Sequence, residues 1–323
     1  MYSNKQTLLS LFQEKQGTFL SGQAIADNLG CSRTAIWKYI DSLKKDGYEI
    51  EAVRNKGYRL VDQPNLVKEY EIQRDLHTKT LGKKVYYHDT VTSTQKIAHE
   101  LAGQGAQEGT LVIADQQESG RGRMDRQWYS PKGTGVWMSL ILRPKLLPTQ
   151  TPQFTLLTAV AVAQSIEEVT GITPDIKWPN DLLIRGKKCT GILTELQAEA
   201  DQVRYMIIGI GINVNQDASD FPEELQEIAT SLKMVKKQEI PRAKLVQEIL
   251  RRLEKLYDLY IQLGFEPIKL LWESYSTTIG KTINARTMNR NIVGKAIGLS
   301  HDGVLLLEDE EGVQHRIYSA DIS

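Results

Sequence analysis

Residues 205–214, YMIIGIGINV, form an almost unbroken apolar run, opened only by Gly209, Gly211 and Asn213. A run of this kind suits a strand in a sheet covered on one or both faces. GVWMSLILRP (135–144) has the same character, and TLVIAD (110–115) and GILTEL (191–196) read as two more strands. Between them, TPQFTLLTAVAVAQSIEEVTG (151–171) reads as a helix with Thr151 as cap, Pro152 in the first turn and Gly171 as its stop. A long helix is expected after Pro241 and a shorter one through Leu271. Strands alternating with helices over 67–272 predict a central α/β domain.

The chain on either side has a different pattern. KQTLLSLFQEK repeats apolar residues at helical spacing, and SGQAIADNLG opens on a Ser cap and closes on Gly30. SRTAIWKYIDSLKKDG then offers Ser32 as N-cap, Ala35, Ile36, Ile40 and Leu43 as an inner face, and Gly47 as the stop. YEIEAVRNKGYRL alternates around RNKG, as a hairpin does. Together these predict a winged helix-turn-helix over 1–62, whose second helix enters a major groove while the wing lies on the flanking backbone. Ser32, Arg33, Thr34 and Lys38 would face DNA from the recognition helix, and Arg54, Asn55 and Lys56 would meet phosphates at the wing tip. A three-helix protein-interaction module is the plainer reading of the same pattern. VDQPNL (61–66) reads as a linker, and the short β-rich runs of 273–323, split by HDG and EEG, predict a small SH3-like β-barrel.

With 40 basic and 40 acidic residues in 323, no global field draws this chain to DNA or membrane, so nucleic-acid binding has to come from local arrangement. The two cysteines, Cys31 and Cys189, make neither a disulfide framework nor a zinc site and suit a reducing compartment. The N-terminus lacks a secretory h-region, and no apolar run approaches the roughly 20 residues of a membrane span. A cytoplasmic location is expected.

Nucleotide and nucleophile signatures are missing. The Gly-x-Gly sequences at 120, 133 and 209 carry Asp125, Met138 and Val214 at the third Rossmann position, and GKT at 280–282 has Tyr275 where a Walker A glycine belongs. Neither HExxH nor GxSxG occurs. What remains is a set of polar residues at expected strand ends. In TSTQ (92–95), Ser93 and Thr94 would cap the following helix, either as plain caps or sharing its free N–H groups with a ligand. In ESGRGRMDRQW (118–128), Gly120 and Gly122 would allow positive φ while Arg121 and Arg123 supply forks for phosphate. Gln117 offers a donor and an acceptor to a neutral polar ring. In IKWPND (176–181), Asp181 could orient a Mg²⁺-bound phosphate or a lysine. Lys188 alone reads as a solvated strand-entry lysine, and the glycines beside Asn213 as sheet packing. Taken together, cations and amides without a nucleophile suit an adenylation site, where a carboxylate is aligned on an α-phosphate and the developing charge is neutralised.

GRGR with the following Arg126 and Trp128, KWPND, GILTE and GIGINV, in this order and flanked by the two smaller domains, resemble the bifunctional biotin–[acetyl-CoA-carboxylase] ligases that double as biotin operon repressors. The resemblance covers essentially the whole chain. It implies a class II synthetase-like mixed sheet in the centre. It implies formation of biotinyl-5′-AMP from biotin and ATP·Mg²⁺, then transfer of biotin to a lysine of a carrier domain of a biotin-dependent carboxylase. Carried over by motif, Ser93, Thr94, Gln95, Gln117, Arg121, Gly122, Arg123 and Lys188 would contact biotin. Arg121, Arg123, Lys177, Asn180 and Asn213 would contact ATP or the adenylate. Arg123, Lys177, Asp181 and Lys188 would carry the chemistry, with Mg²⁺ held through ATP phosphates near Asp181 and no protein cage. The adenylate would act as corepressor by favouring a homodimer on two-fold operator DNA. A ligand-sensing regulator that has lost catalysis is the alternative. Several relatives have Gly where this chain has Asp125, between Met124 and Arg126.

Overall fold

The computed structural model describes residues 4–15, 17–199, 202–287 and 290–322, which fall into two compact units meeting at Asp75 and Leu76. In the first unit, helices α1 (Asn4–Glu14), α2 (Gly22–Leu29) and α3 (Arg33–Lys45) precede the hairpin β1 (Glu49–Val53) and β2 (Gly57–Asp62). The caps are local. Ser21 Oγ accepts from the Ala24 amide, Ser32 Oγ accepts from the Ala35 amide at 3.2 Å, and Gly30 ends α2 in the left-handed region. Ile36, Ile40 and Leu43 of α3 pack against Leu8, Leu9, Phe12 and Ile25, while Ala35 is only half-buried. Ser32, Arg33, Thr34 and Lys38 are left exposed on the opposite face, as are Arg54 and Lys56 on the wing. Gly57 has φ +104°, and a Cβ there would lie 2.0 Å from the Leu20 carbonyl, because Leu20 bridges the wing at Tyr58. Phe19, next to that bridge, lies beneath the Arg59 guanidinium and the Lys56 ammonium, 4.6 and 5.9 Å from its ring centroid.

This unit runs past the expected boundary at 62–67 through a short helix, α4 (Glu69–Gln73). Val67 and Ile72 are fully buried, Tyr48 donates its hydroxyl to Glu71, and Asp46 binds the ammonium groups of both Lys5 and Lys68. These contacts, spread between α1, the end of α3 and the segment after the wing, are not visible as any local composition change.

In the second unit, β3 (Val85–Val91), α5 (Thr94–Gly103), β4 (Leu111–Gln117), the short pair β5 (Gly120–Arg121) and β6 (Gln127–Trp128), and β7 (Gly135–Leu142) lead to α6 (Thr151–Thr170). Then come β8 (Asp175–Lys177), β9 (Asp181–Ile184), β10 (Lys187–Glu199), β11 (Gln202–Asn213), and helices α7 (Glu223–Gln226), α8 (Leu232–Lys236), α9 (Arg242–Leu263) and α10 (Glu266–Tyr275). The seven-stranded sheet has the order β3-β4-β7-β11-β10-β9-β8, parallel between β3 and β4 and antiparallel elsewhere. Strands β7 and β11 lie at its centre, which explains their nearly continuous apolar sequence.

Helix α6 starts differently from the expectation. A 3₁₀ turn over Pro148–Gln150 leads into it, and Thr151 Oγ1 donates to the Pro148 carbonyl instead of capping. Helix α10 crosses the expected 272/273 boundary because Trp272 is fully buried and the Tyr275 hydroxyl donates to Glu167 of α6 at 2.7 Å. The C-terminal strands β12 (Thr282–Arg286), β13 (Asn291–Leu299), β14 (Leu305–Glu308), β15 (Gln314–Ile317) and β16 (Asp321–Ile322) form a five-stranded antiparallel sheet ordered β15-β14-β13-β12-β16, as expected of an SH3-like barrel. Among the described residues no helix is long and apolar enough to cross a membrane.

One buried ion pair ties α9 to the sheet. Arg242, 1% exposed, reaches Asp115 of β4 at 2.9 Å and donates to the Gly135 carbonyl of β7 at 3.1 Å. Removing one member of such a pair strands the other without water or counter-charge. Arg242→Met should therefore cost about 3–5 kcal/mol of unfolding free energy, measured by urea denaturation of the full chain.

Candidate active site

A cavity of about 520 Å³ opens in the second unit, and all twelve central-domain residues singled out from the sequence line it: Ser93, Thr94, Gln95, Gln117, Arg121, Gly122, Arg123, Lys177, Asn180, Asp181, Lys188 and Asn213. They come from six separate stretches of chain, brought together by the sheet order.

Strands β4 and β7 and the start of α5 supply a chain of polar side chains. The Thr94 amide donates to Gln117 Oε1 at 2.9 Å, and Gln117 Nε2 donates to Ser130 Oγ at 3.0 Å. Ser130 Oγ in turn donates to the Trp128 carbonyl. Thr94 and Ser139 have two hydroxyl hydrogens for three contacts, to Gln117 Oε1, to Gln95 Oε1 and between themselves, all at 2.9–3.0 Å. One contact therefore always lacks a hydrogen, and the network can turn a donor or an acceptor toward an incoming group at little cost. Gln95 is fixed from behind by the Ile207 carbonyl, and a Cβ on Gly209 would meet its Oε1 at 2.5 Å.

The capping expectation for Ser93 and Thr94 is corrected here. Ser93 occupies the N-cap position in extended backbone, but its hydroxyl makes no cap bond and is buried without a partner. Gln117 takes the Thr94 amide instead, because β4 ends directly beside the helix start. Asp181 Oδ1 and Trp128 Nε1 are likewise buried and unpartnered. Three such groups on one cavity mark a site made for a polar ligand, since each unmade hydrogen bond costs about 1–3 kcal/mol.

The cationic loop also differs in detail. Neither Gly120 nor Gly122 has positive φ; the left-handed turn is made by Met124, at φ +54°. Gly120 is required for a different reason: a Cβ would lie 2.4 Å from the Trp128 carbonyl where β5 and β6 pair. The Asp125 side chain lies outside the described residues. Arg123 donates to Asn180 Oδ1 at 3.0 Å and to Ser319 Oγ at 2.7 Å. Burial pulls its pKa down, opposed by the Asp181 and Asp321 carboxylates. Arg121 lies 3.9 Å from Glu195, whose carboxyl is held below the usual range chiefly by the His99 ring at 3.1 Å.

Lys188 and Asp181 pair at 2.8 Å across adjacent strands, and the Lys188 ammonium stands 5.4 Å from the Trp128 ring centroid. Lys177, at the end of β8, is opposite Asp181 in the register. Asn180 is a clasp as well as a lining residue, donating to the Ile192 carbonyl at 2.9 Å. Asn213 Oδ1 accepts from Gln216 Nε2 at 3.2 Å. Buried Cys189, its thiol pushed up to about 12 by burial, donates to the Asn213 carbonyl and offers no nucleophile. No cluster of three or more His, Cys, Asp or Glu that could hold a metal ion exists among the described residues.

The sequence marked Trp128 only as part of the family motif and gave no role to it, and it did not single out Ser139, Ser319 or Asp321. Ser139 had a usable signal, as the single hydroxyl in the apolar run of β7. Trp128 had a weaker one, beside the arginines. The C-terminal residues had none, being close to the loop only in space.

Residues 87–213 match the biotin/lipoate A/B protein ligase family, 4–59 an HTH domain and 278–323 the biotin protein ligase C-terminal domain. The bifunctional ligase/repressor BirA of Bacillus subtilis (strain 168) is 58% identical over 98% of both chains. The chain belongs to the bifunctional biotin ligase/repressor family. Its Escherichia coli (strain K12) relative of the same name is 28% identical over 91% of this chain and 89% of that one. Among solved structures, a biotin protein ligase from Aquifex aeolicus in complex with biotin and ATP matches with TM-score 0.64 and 32% identity, covering 75% of this chain and 98% of that one. As a family member the chain is a biotin–protein ligase joined to a helix-turn-helix repressor module, and a regulator without catalysis is the less supported reading.

The indole of Trp128 lies on the glycines of β10 and β11: a Cβ on Gly191 or Gly211 would approach it to 2.8 or 2.5 Å. Gly211→Ala should lift the ring into water and shift its emission to the red, assigned by difference against Trp128→Phe. The stability loss should stay under the about 1–3 kcal/mol of an overpacked closed core, because the cavity lets the ring move. An emission spectrum identical to the parent's would mean the indole is not seated there.

Proposed function

We propose that this cavity aligns the biotin carboxylate with the α-phosphate of ATP to form biotinyl-5′-AMP, then holds the adenylate until a carrier-domain lysine attacks it. The observation that carries the reading is the set of cations Arg121, Arg123, Lys177 and Lys188 on one cavity that, among the described residues, no cysteine lines, the neighbouring Cys189 being buried with its thiol held protonated. In-line displacement by a substrate carboxylate requires alignment and charge neutralisation, not a protein nucleophile.

In this reading Ser93, Thr94 and Gln117 hold the ureido ring of biotin. The orphaned Ser93 hydroxyl and the Thr94 and Ser139 hydroxyls, one hydrogen short among their three contacts, supply its hydrogen bonds. Gln95 and Gly122 shape the wall against which the ring rests. Arg121 and Arg123 lie over the phosphate, and Lys188 sits between biotin and the α-phosphate, its charge steadied by Asp181. Asn180 holds Arg123 in place, and Asn213 borders the adenine. Mg²⁺ fits here without a protein cage: Asp181 Oδ1 is a single unpartnered oxygen, suited to an ion that keeps waters and phosphates as its other ligands. Bound there, Mg²⁺ would supply charge neutralisation on the phosphates.

The adenylate also serves as corepressor: it offsets the cost of ordering the cationic loop and favours a homodimer. Two winged units on a two-fold operator then bind far more tightly than one through effective concentration. The exposed Ser32, Arg33, Thr34 and Lys38 read the major groove, with Arg54 and Lys56 on flanking phosphates.

Incubation with biotin, ATP and Mg²⁺ should yield biotinyl-5′-AMP by mass spectrometry, and its absence would defeat the ligase chemistry. Arg123→Ala should release preformed adenylate about tenfold faster, as loss of charged hydrogen bonds implies. In a gel shift on a palindromic operator, biotin with ATP should strengthen binding. Arg33→Ala should weaken it by about 1–3 kcal/mol while biotinylation continues; parallel loss of both activities would indicate a folding defect instead.

A further inference from the structure

Two arginines of the cationic loop end on the last residues of the chain. Arg123 donates one nitrogen to Asn180 at 3.0 Å and the other to Ser319 at 2.7 Å, so a single guanidinium joins the KWPND segment to the C-terminal tail. Arg126 forms an ion pair with Asp321. The left-handed Met124 makes both contacts possible at once. It tightens the turn until the Gly122 amide donates to the Arg126 carbonyl at 2.7 Å and the Arg126 amide to the Arg123 carbonyl at 3.2 Å. Ala320, Asp321 and Ile322 themselves line the cavity, and β16 is anchored to β12 through the pairs Ala285/Ile322 and Arg286/Asp321.

We propose that residues 319–322 are a latch for the ligand loop, in which Ser319 and Asp321 are positioning residues that hold Arg123 and Arg126 over the cavity. The charge balance supports this. Loop and cavity bring Arg121, Arg123, Arg126, Lys177 and Lys188 together, and without an anion they repel one another. Asp181 is already engaged with Lys188, so Asp321 is the carboxylate that receives Arg126. The ion pair is solvent-exposed on both sides and weak by itself; Arg123 is half-buried through its bond to Asn180, while its bond to Ser319 is exposed. The latch therefore biases the loop toward closure without locking it, and the C-terminal sheet becomes a structural part of ligand binding.

The loop supplies its own probe, because trypsin cleaves after arginine. In the full chain without biotin or ATP, the double variant Ser319→Ala/Asp321→Asn should be cut after Arg121, Arg123 or Arg126 about tenfold faster than the parent, with sites mapped by mass spectrometry. Its thermal midpoint should be unchanged. Equal cleavage rates, or a lost cooperative melt, would overturn the latch, the latter by making these residues props of the sheet. The second arm rests on the ligase reading above. Asp321→Arg and Arg126→Asp should each raise KM for ATP about two- to fivefold with kcat nearly constant, and the combined swap should recover most of the loss. A swap no better than either single variant would overturn the proposal. Failure of the parent to make biotinyl-5′-AMP would count against the ligase reading, and the cleavage arm would still decide the latch.

Discussion

The buried guanidinium of Arg242 is the constraint on which the catalytic unit is arranged. It sits where α9 crosses the sheet, bonded at once to the Asp115 carboxylate of β4 and the Gly135 carbonyl of β7. A charge at 1% exposure is tolerable only with such partners, so the helix and both strands have one relative placement. That placement carries to the site through rigid strands. Beyond Asp115, β4 delivers Gln117 to the start of α5. Beyond Gly135, β7 delivers Ser139 beneath Thr94 and Gln95.

Built on that frame, the cavity keeps several polar atoms without partners. Ser93 Oγ, Asp181 Oδ1 and Trp128 Nε1 are each buried and unbonded, which costs stability in the free protein. The same feature makes a ligand's hydrogen bonds more favourable, since the binding groups need not first be stripped of internal partners. The cationic loop follows the same logic electrostatically: its arginines are held by Asn180, Ser319, Asp321 and distant Glu195 until an anion offers more. In the function proposed above, ligand binding and loop order are coupled, which would let a ligase report on its own product.

The legible part of the site was its residue types and their order along the chain. Cations, amides and a carboxylate at strand ends marked the cavity because such groups are poor choices for surface turns beside apolar strands. The roles within the site were less legible. Gln117, not Ser93, satisfies the first helix amide, because which acceptor reaches an N-terminus depends on where a neighbouring strand ends. Met124, not a glycine, makes the left-handed turn, because pairing of β5 with β6 sets the loop's path. Gly211 reads as a packing glycine until the Trp128 ring is seen lying on it and on Gly191. The first unit extends to Asp75 because Val67, Lys68 and Glu71 find partners far away in sequence.

The sequence by itself determined what local physics controls. It set the capped helices with their apolar faces, the glycine-punctuated wing, the continuous apolar strands at the sheet's centre, and the motif order that marks the family. Only the tertiary structure decided which of these groups meet. The joining of residues 319–322 to a loop nearly two hundred positions earlier, the shared hydrogens of Thr94 and Ser139, and the Arg242 charge beneath the sheet depend on strand order and helix crossing. These are long-range arrangements that the spacing of residues along a chain does not encode.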